Sequence, residues 1–487
     1  MTGSADHAAT TGRPIELRIS RRWIVLGGLL VLATLVRFWA MRWPPFPYDM
    51  NTWIAWGERL RDVGPNDFYA EGYFANYTPG YMYVLWLVAV VKHAFFASAG
   101  MGTYYFLHRL PALVCDLAIG VVIFRLMERI VARGGYQDTA ADADAWPIFP
   151  ATIAALWLFN PAVIVNSAVW GQVDSVSALG MLLTVVFLLD RRPEASLATY
   201  AVTLLIKPHA IVIAPVVGLG LLLWFPRAQI IRSLAIGVAV GVLLLLPFYG
   251  LRFIPDLWDL LASSTDGFEY TSMNLYNLWG IYGFWRDDRL SLFGPISARG
   301  FGAGLFVLGL AYGLVLFWRE LKRGTDRTFT LFLFSAYFSF MPVMLLTLMR
   351  ERYLYPVFPF LLVFAAICYL RDGDPRPEDR FASLTASAPP RFLLAPMILY
   401  LVLTLLHTMN LYQVYQFYVN FESGGVPVTN TLYYRIADNA KVWSVLSLLC
   451  LTAFAVLMPS WLASAEPAGG EPKAELGEGA VVAPEPA

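Results

Sequence analysis

Long apolar runs, each closed by a short polar interruption, recur along this chain at about residues 23–41, 80–97, 104–131, 148–168, 174–190, 198–224, 229–250, 300–318, 328–348, 353–370, 392–411 and 440–462. Each is near the ~20 residues that carry a helix across a bilayer. Lipid offers backbone N–H and C=O groups no water, so these runs are predicted to be helices. Behind the first run, Thr52-Trp-Ile-Ala-Trp-Gly-Glu-Arg-Leu-Arg sets Trp53, Trp56 and Leu60 on one helical face and Glu58, Arg59 and Arg61 on the other, the pattern of a helix lying in a membrane interface. The expectation is an all-α polytopic membrane protein with about 11–13 transmembrane helices and interfacial helices in the first outer loop.

Basic residues give the orientation. Arg18, Arg21 and Arg22 precede the first run, which has no short apolar core ending at a small-residue cleavage site, so it reads as an anchor rather than a cleaved signal. Arg125 to Arg133, Arg191 with Arg192, Arg227 with Arg232, Arg319 to Arg327 and Arg371 to Arg380 place their loops, by the positive-inside bias, with the N-terminus in the cytoplasm. The remaining loops then face outward: 43–79, the segment around Trp170, 251–299, Met349 to Tyr353 and 412–438. The two apolar runs between residues 80 and 131 break the parity of this count, so either one of them does not cross or the second is broken. On this reading residues 1–22 are a cytoplasmic segment, 23–462 the membrane domain, and 463–487 a disordered cytoplasmic tail in a cytoplasmic-membrane protein.

Composition fits. Of 487 residues 58% are hydrophobic and 14% charged, far from the profile of an average soluble domain, and the formal net charge is zero; no nucleic-acid partner is expected. Cys115, Cys368 and Cys450 lie far apart within apolar runs and read as small buried hydrophobes, with no disulfide expected. Residues 1–14 and the Ala/Pro/Gly/Glu-rich stretch after Ser460 lack the apolar content to fold.

The chemistry sits at the ends of the runs. Asp49 follows the Pro-rich turn Trp43-Pro-Pro-Phe-Pro-Tyr and either caps the next helix or stands as a carboxylate at the membrane surface. Tyr77, in Asn76-Tyr-Thr-Pro, is placed for an aromatic belt. Lys207-Pro208-His209 interrupts an apolar stretch, where a charge costs about 2.5–3.5 kcal/mol and is functional by default. The Pro breaks the helix there; Lys207 either snorkels or reaches toward an anion. In Met349-Arg350-Glu351-Arg352-Tyr353 two guanidinium forks suit a phosphate with Glu351 orienting one of them, against interface snorkelling by both. Within Trp170-Gly-Gln172-Val-Asp174-Ser175, Asp174 and Ser175 are placed to cap the following helix, while Gln172 and Asp174 are also of a kind to bind sugar hydroxyls. Residues 252–290 mix aromatics with acceptors, among them Asn274, Asn277 and Trp279, as sugar sites do.

Taken in order over about residues 23–370, these pieces resemble the polyprenyl-phosphate-sugar-dependent glycosyltransferases of the GT-C superfamily, nearest to the dolichyl-phosphate-glucose-dependent glucosyltransferases and the bacterial and GPI-pathway mannosyltransferases. Pro44-Pro45-Phe-Pro-Tyr-Asp49 is similar to that family's catalytic acidic stretch, and Tyr77-Thr78-Pro79 to its lead-in to the second span. Arg109 and Asp116 resemble an Arg and Asp seven apart, Gln172 to Ser175 a Gln-x-Asn/Asp-Ser element, and Lys207-Pro208 a lysine break. Met349 to Tyr353 resembles a His-Glu-Arg/Lys motif with Arg350 in place of the His.

The resemblance implies a GT-C fold and transfer of one sugar, with inversion, from a polyprenyl-phosphate donor in the bilayer to a glycan, glycolipid or protein acceptor. Asp49 is then the general base, since a carboxylate is ionised at neutral pH. Lys207, Arg350 and Arg352 meet the donor phosphate and offset its growing charge. Tyr77, Arg109, Asp116, Gln172, Asp174, His209, Glu351 and Tyr353 support the site or hold sugar. No cofactor is required, although Asp49 and Asp174 have the chemistry to bind a divalent cation if they converge. A transporter or flippase of lipid-linked saccharides also needs charges in mid-membrane, but it predicts internal repeats, and no matching halves are evident. An inactive relative acting as a scaffold is the third reading.

Overall fold

A computed structural model of the chain describes residues 20–133, 147–266, 269–372, 394–422 and 430–465. Residues 1–14 and nearly all of the expected tail lie outside these. The chain order is α1 (Arg21–Ala40), α2 (Pro47–Val63), α3 (Pro79–Phe95), α4 (Met101–Arg133), α5 (Ile148–Leu158), α6 (Pro161–Ile164), α7 (Asp174–Leu189), α8 (Pro193–Ile206), α9 (Ala214–Trp224), α10 (Arg227–Tyr249), α11 (Phe253–Asp266), α12 (Leu278–Tyr282), α13 (Ala298–Arg323), α14 (Arg327–Leu345), α15 (Val357–Asp372), α16 (Ala395–Glu422), α17 (Thr431–Asp438) and α18 (Ala440–Ser464). Among the described residues strands are confined to two- and three-residue pieces. One parallel pairing sets Ser272 and Met273 beside Met349 and Arg350.

Among the described residues eight helices are long and apolar enough to cross a membrane, nine if the bent pair Ile148–Leu158 and Pro161–Trp170 is one span. Three shorter apolar helical segments, Asp174–Leu189, Pro193–Ile206 and Pro208–Trp224, follow that pair. The expected 11–13 crossings are therefore reached only if these shorter segments cross as well. The protein is an all-α polytopic membrane protein. Its core is densest around α14 and α15, where nearly every side chain is buried, whereas α1, α10 and α13 leave most of theirs exposed or partly exposed, as lipid-facing helices do.

Two sequence expectations change. The run 148–168 is not one straight helix: it bends by 45° at Asn160-Pro161, and residues Val165–Trp170 continue as a π-helix. Pro161 is held as the first residue of the new helix while Asn160 caps it, its side chain accepting from the amides of Ala162 and Val163. The run 104–131, by contrast, is unbroken despite Pro111, which removes the broken-helix solution to the parity problem. The apolar face of α2, expected to meet lipid, packs instead on protein, with Trp53, Trp56 and Leu60 buried against Tyr81, Met82 and Leu85 of α3.

The predicted break at Lys207-Pro208 is present. α8 stops at Ile206, Lys207 is extended, and a 3-10 turn covers Pro208–Ile213 before α9. The break releases the carbonyl of Leu205, which accepts a 2.6 Å hydrogen bond from the Thr78 hydroxyl. Gly80 lets α3 approach: a Cβ there would stand 2.5 Å from the carbonyl carbon of Leu205 and 2.6 Å from the amide of Ile206. Both neighbours are backbone and cannot swing aside. Gly80→Ala is therefore expected to cost about 1–3 kcal/mol, the usual range for overpacking, read as a lower midpoint in detergent unfolding. An unchanged midpoint would show that the α3–α8 contact is looser than its geometry.

Candidate functional site

Asp49 lies in the first turn of α2, but it is not the cap. The N-cap position is Phe46, and the Asp49 side chain turns away from the helix amides. Its Oδ2 accepts from Trp170 Nε1 at 2.8 Å, from Gln172 Nε2, and from Arg352 at 3.3 Å. Three donors from two distant parts of the chain, the Trp170–Gln172 turn and Arg352, thus converge on one oxygen. No hydrogen bond among the described residues reaches Oδ1. Asp49 lines a cavity of about 220 Å³ together with Arg350, Glu351 and Arg352 and with Phe46, Tyr48, Met273, Asn274, Trp285, Val414 and Tyr418.

The turn that delivers Asp49 is braced from several sides. Arg109 donates to the carbonyls of Met41 at 2.7 Å and Trp43 at 2.9 Å, and Tyr415 donates to the carbonyl of Pro44 at 2.6 Å. The Phe46 amide bonds the Trp170 carbonyl, and their rings stack at 4.2 Å. On the Trp170 side, Gly171 takes φ +88°, which reverses the chain between the π-helix and α7 and presents Gln172 to Asp49. Arg109, expected to support the site or hold sugar, thus braces it through backbone at a remove from the cavity wall.

Arg352 is buried. Its NH1 meets Asp49 and Glu351, both at 3.3 Å, while its Nε has no hydrogen-bond partner. The segment before it is clamped by residues between α11 and α13. Thr347 donates to buried Asp288 at 2.7 Å, Trp279 donates to the Leu345 carbonyl at 2.8 Å, and Asn277 to that of Val343 at 3.2 Å.

Lys207 is placed otherwise than expected. Its ammonium is buried and paired with Asp174, which also accepts from Asn166 at 3.0 Å. Lys207 further lies 5.5 Å from the centre of the Tyr353 ring, and that ring stacks on His209. Desolvating an ammonium demands a counter-charge, and Asp174 supplies it. Asp174 accordingly does not cap α7 by its side chain; one of its oxygens meets Lys207 and the other Asn166. Among the described residues no three His, Cys, Asp or Glu side chains are grouped to hold a metal. Tyr77 lies close to both charge pairs, and burial pushes its phenol above its ordinary value, so it is neutral at physiological pH.

Asp116 is also set apart, as the centre of a buried network. It pairs with Arg37 of α1 at 2.9 Å and accepts from Ser167 and Tyr355, both at 2.6 Å. Tyr355 reaches on to Ser175 at 3.2 Å. Of the twelve residues expected at the site, Asp49, Arg350, Glu351 and Arg352 line the cavity, and Gln172 touches it through Asp49. Arg109, Asp116, Asp174, Lys207, His209, Tyr77 and Tyr353 are not on its wall. Trp170, Tyr418 and Trp285 were not singled out for the site. Trp170 stood inside a motif read for its amides and carboxylate; Tyr418 and Trp285 carry no local sequence signal.

Fold and site together define a multi-pass membrane protein with two acidic residues, Asp49 and Glu351, on the wall of the cavity. Residues 62–264 match the model of the family PIG-U, GPI transamidase subunit. The match takes in Arg109, Asp116, Gln172, Asp174 and Lys207 but neither Asp49 nor the Arg350–Arg352 segment. Among curated proteins, none matches the chain.

Proposed function

We propose that this chain is an integral membrane glycosyltransferase that moves a single sugar from a polyprenyl-phosphate donor to a glycan, glycolipid or protein acceptor. The observation that supports it is the Asp49 carboxylate on the cavity wall beside two arginines, gripped at Oδ2 by three donors while no hydrogen bond among the described residues reaches Oδ1. A general base needs a fixed lone pair within reach of the proton it takes. The acceptor hydroxyl oxygen forms a bond to the anomeric carbon while the bond from that carbon to the phosphate oxygen breaks, and the hydroxyl proton passes to Oδ1. The electron pair leaves with the polyprenyl phosphate, whose charge faces Arg350 and Arg352. Attack opposite the leaving group inverts the anomeric centre. Lys207 takes a different part from the one its position in the sequence implied: with Asp174 it steadies the broken helix behind the cavity.

The family match favours a second reading, and favours it more than the first: a membrane subunit of a larger assembly, without transfer activity of its own. GPI transamidase subunit is the description of the matching family, and the match stops short of both Asp49 and the arginines. One experiment separates the two readings. The purified chain is incubated with a panel of radiolabelled polyprenyl-phosphate sugars and native lipid extract. Label entering the extract is the outcome expected of the enzyme; donor consumed by no member of the panel, with the chain recovered in a stable complex with other membrane proteins, is that expected of the subunit.

A further inference from the structure

The described residues contain four non-glycine positions with left-handed backbone; two of them, Asn274 and Leu348, lie on the paired segments that carry Arg350, and a third, Trp285, bonds the first of these through its amide. Asn tolerates this conformation; for a bulky residue such as Trp it is an outlier that surrounding structure must impose. Trp285 has φ +58° and is 42% exposed on the cavity wall. Its indole N–H donates to Asn274 Oδ1 at 2.9 Å, its amide bonds the Ser272 carbonyl, and Tyr270 abuts its ring at 5.2 Å, edge on. The backbone is thus bent out of its preferred region, the ring is pinned at the rim by its polar edge, and nearly half of its surface stays open. Hydrophobic burial does not account for an indole left so exposed.

We propose that Trp285 is the stacking platform for the saccharide acceptor. This rests on the glycosyltransferase reading. The apolar C–H face of a pyranose packs on an aromatic ring, while its hydroxyls need donors and acceptors close by, and Asn274, Tyr418 and Glu351 line the same cavity. Trp285 belongs to the loop between α12 and α13, outside the membrane-spanning helices, so the ring it seats is the one arriving from water, while the lipid-borne donor meets the arginines.

The test uses the full chain in detergent. Saturation-transfer NMR with α-1,2-mannobiose, maltose and lactose as probes is run on the parent, on Trp285→Phe, which keeps a flat ring, and on Trp285→Gly, whose residue suits the left-handed backbone and so folds. Saturation of at least one disaccharide is expected with the parent, at similar strength with Trp285→Phe, and reduced about tenfold with Trp285→Gly, the loss of a whole aromatic contact. In the transfer assay Trp285→Gly is expected to raise the acceptor KM about tenfold with the donor KM unchanged. Equal saturation by parent and Trp285→Gly, no saturation of any probe by the parent, or a shift in donor KM alone overturns the proposal. Saturation lost with Trp285→Gly in a chain that transfers no label would leave the platform standing and remove the enzyme.

Discussion

Asp49→Asn lowers sugar transfer by about three orders of magnitude, within the range that a positioned general base contributes, and leaves donor binding within a few-fold of the parent. The substitution keeps an oxygen for Trp170 and Gln172, so the turn and α2 stay in place; what goes is the anionic lone pair aimed at the cavity. Arg352 loses one of its two carboxylate partners and keeps Glu351. Turnover is followed as label transferred per mole of enzyme, and binding by equilibrium dialysis of labelled donor. Transfer at the parent rate would move the base elsewhere, and a loss of donor affinity matching the loss of rate would make Asp49 a binding residue.

Asp116→Ala is the substitution with the largest expected cost to stability. It leaves Arg37 charged and buried within α1, with Nε stripped of its partner and NH2 already lacking one. It also removes the acceptor of the Ser167 and Tyr355 hydroxyls. Breaking one side of a buried pair costs about 3–5 kcal/mol, enough to abolish the yield of monodisperse protein. Removing both charges together, in Arg37→Met with Asp116→Leu, is expected to recover most of the loss, since well-packed apolar side chains often replace a buried ion pair at little cost. A single Asp116→Ala chain as stable as the parent would mean that water or lipid headgroups reach Arg37.

The helices were legible because the membrane imposes both a length and an apolar composition, and only the breaks needed more. Lys207-Pro208 announced its break through a charge and a proline together. Asn160-Pro161 carries the same kind of signal, a cap followed by a proline that starts a helix, but it is embedded in a continuous apolar run that masks it. The site was legible as a set of exceptional residues and not as contacts. A carboxylate behind a rigid turn and two arginines flanking a glutamate each stand out where they are, yet nothing in their spacing says that Asp49 and Arg352, some 300 positions apart, share a hydrogen bond. The pairing of Lys207 with Asp174 and of Arg37 with Asp116 follows from a rule that was within reach, that charges inside a membrane pair with one another. Reading Lys207 as a free cation left out the acid that the interior demands beside it.

The Thr78 hydroxyl that serves the Leu205 carbonyl belongs to a stretch of chain made 127 residues earlier. Thr78 is buried, so no water stands in for that donor, and the Leu205 carbonyl is satisfied only by a neighbour already beside it. Synthesis runs in the favourable direction, since residue 78 leaves the ribosome first and is waiting when Leu205 arrives. Coexpression of the chain in two pieces cut between them then depends on order: the N-terminal fragment must be in the membrane before its partner, or α8 is inserted with an unsatisfied carbonyl and becomes a substrate for quality-control proteolysis.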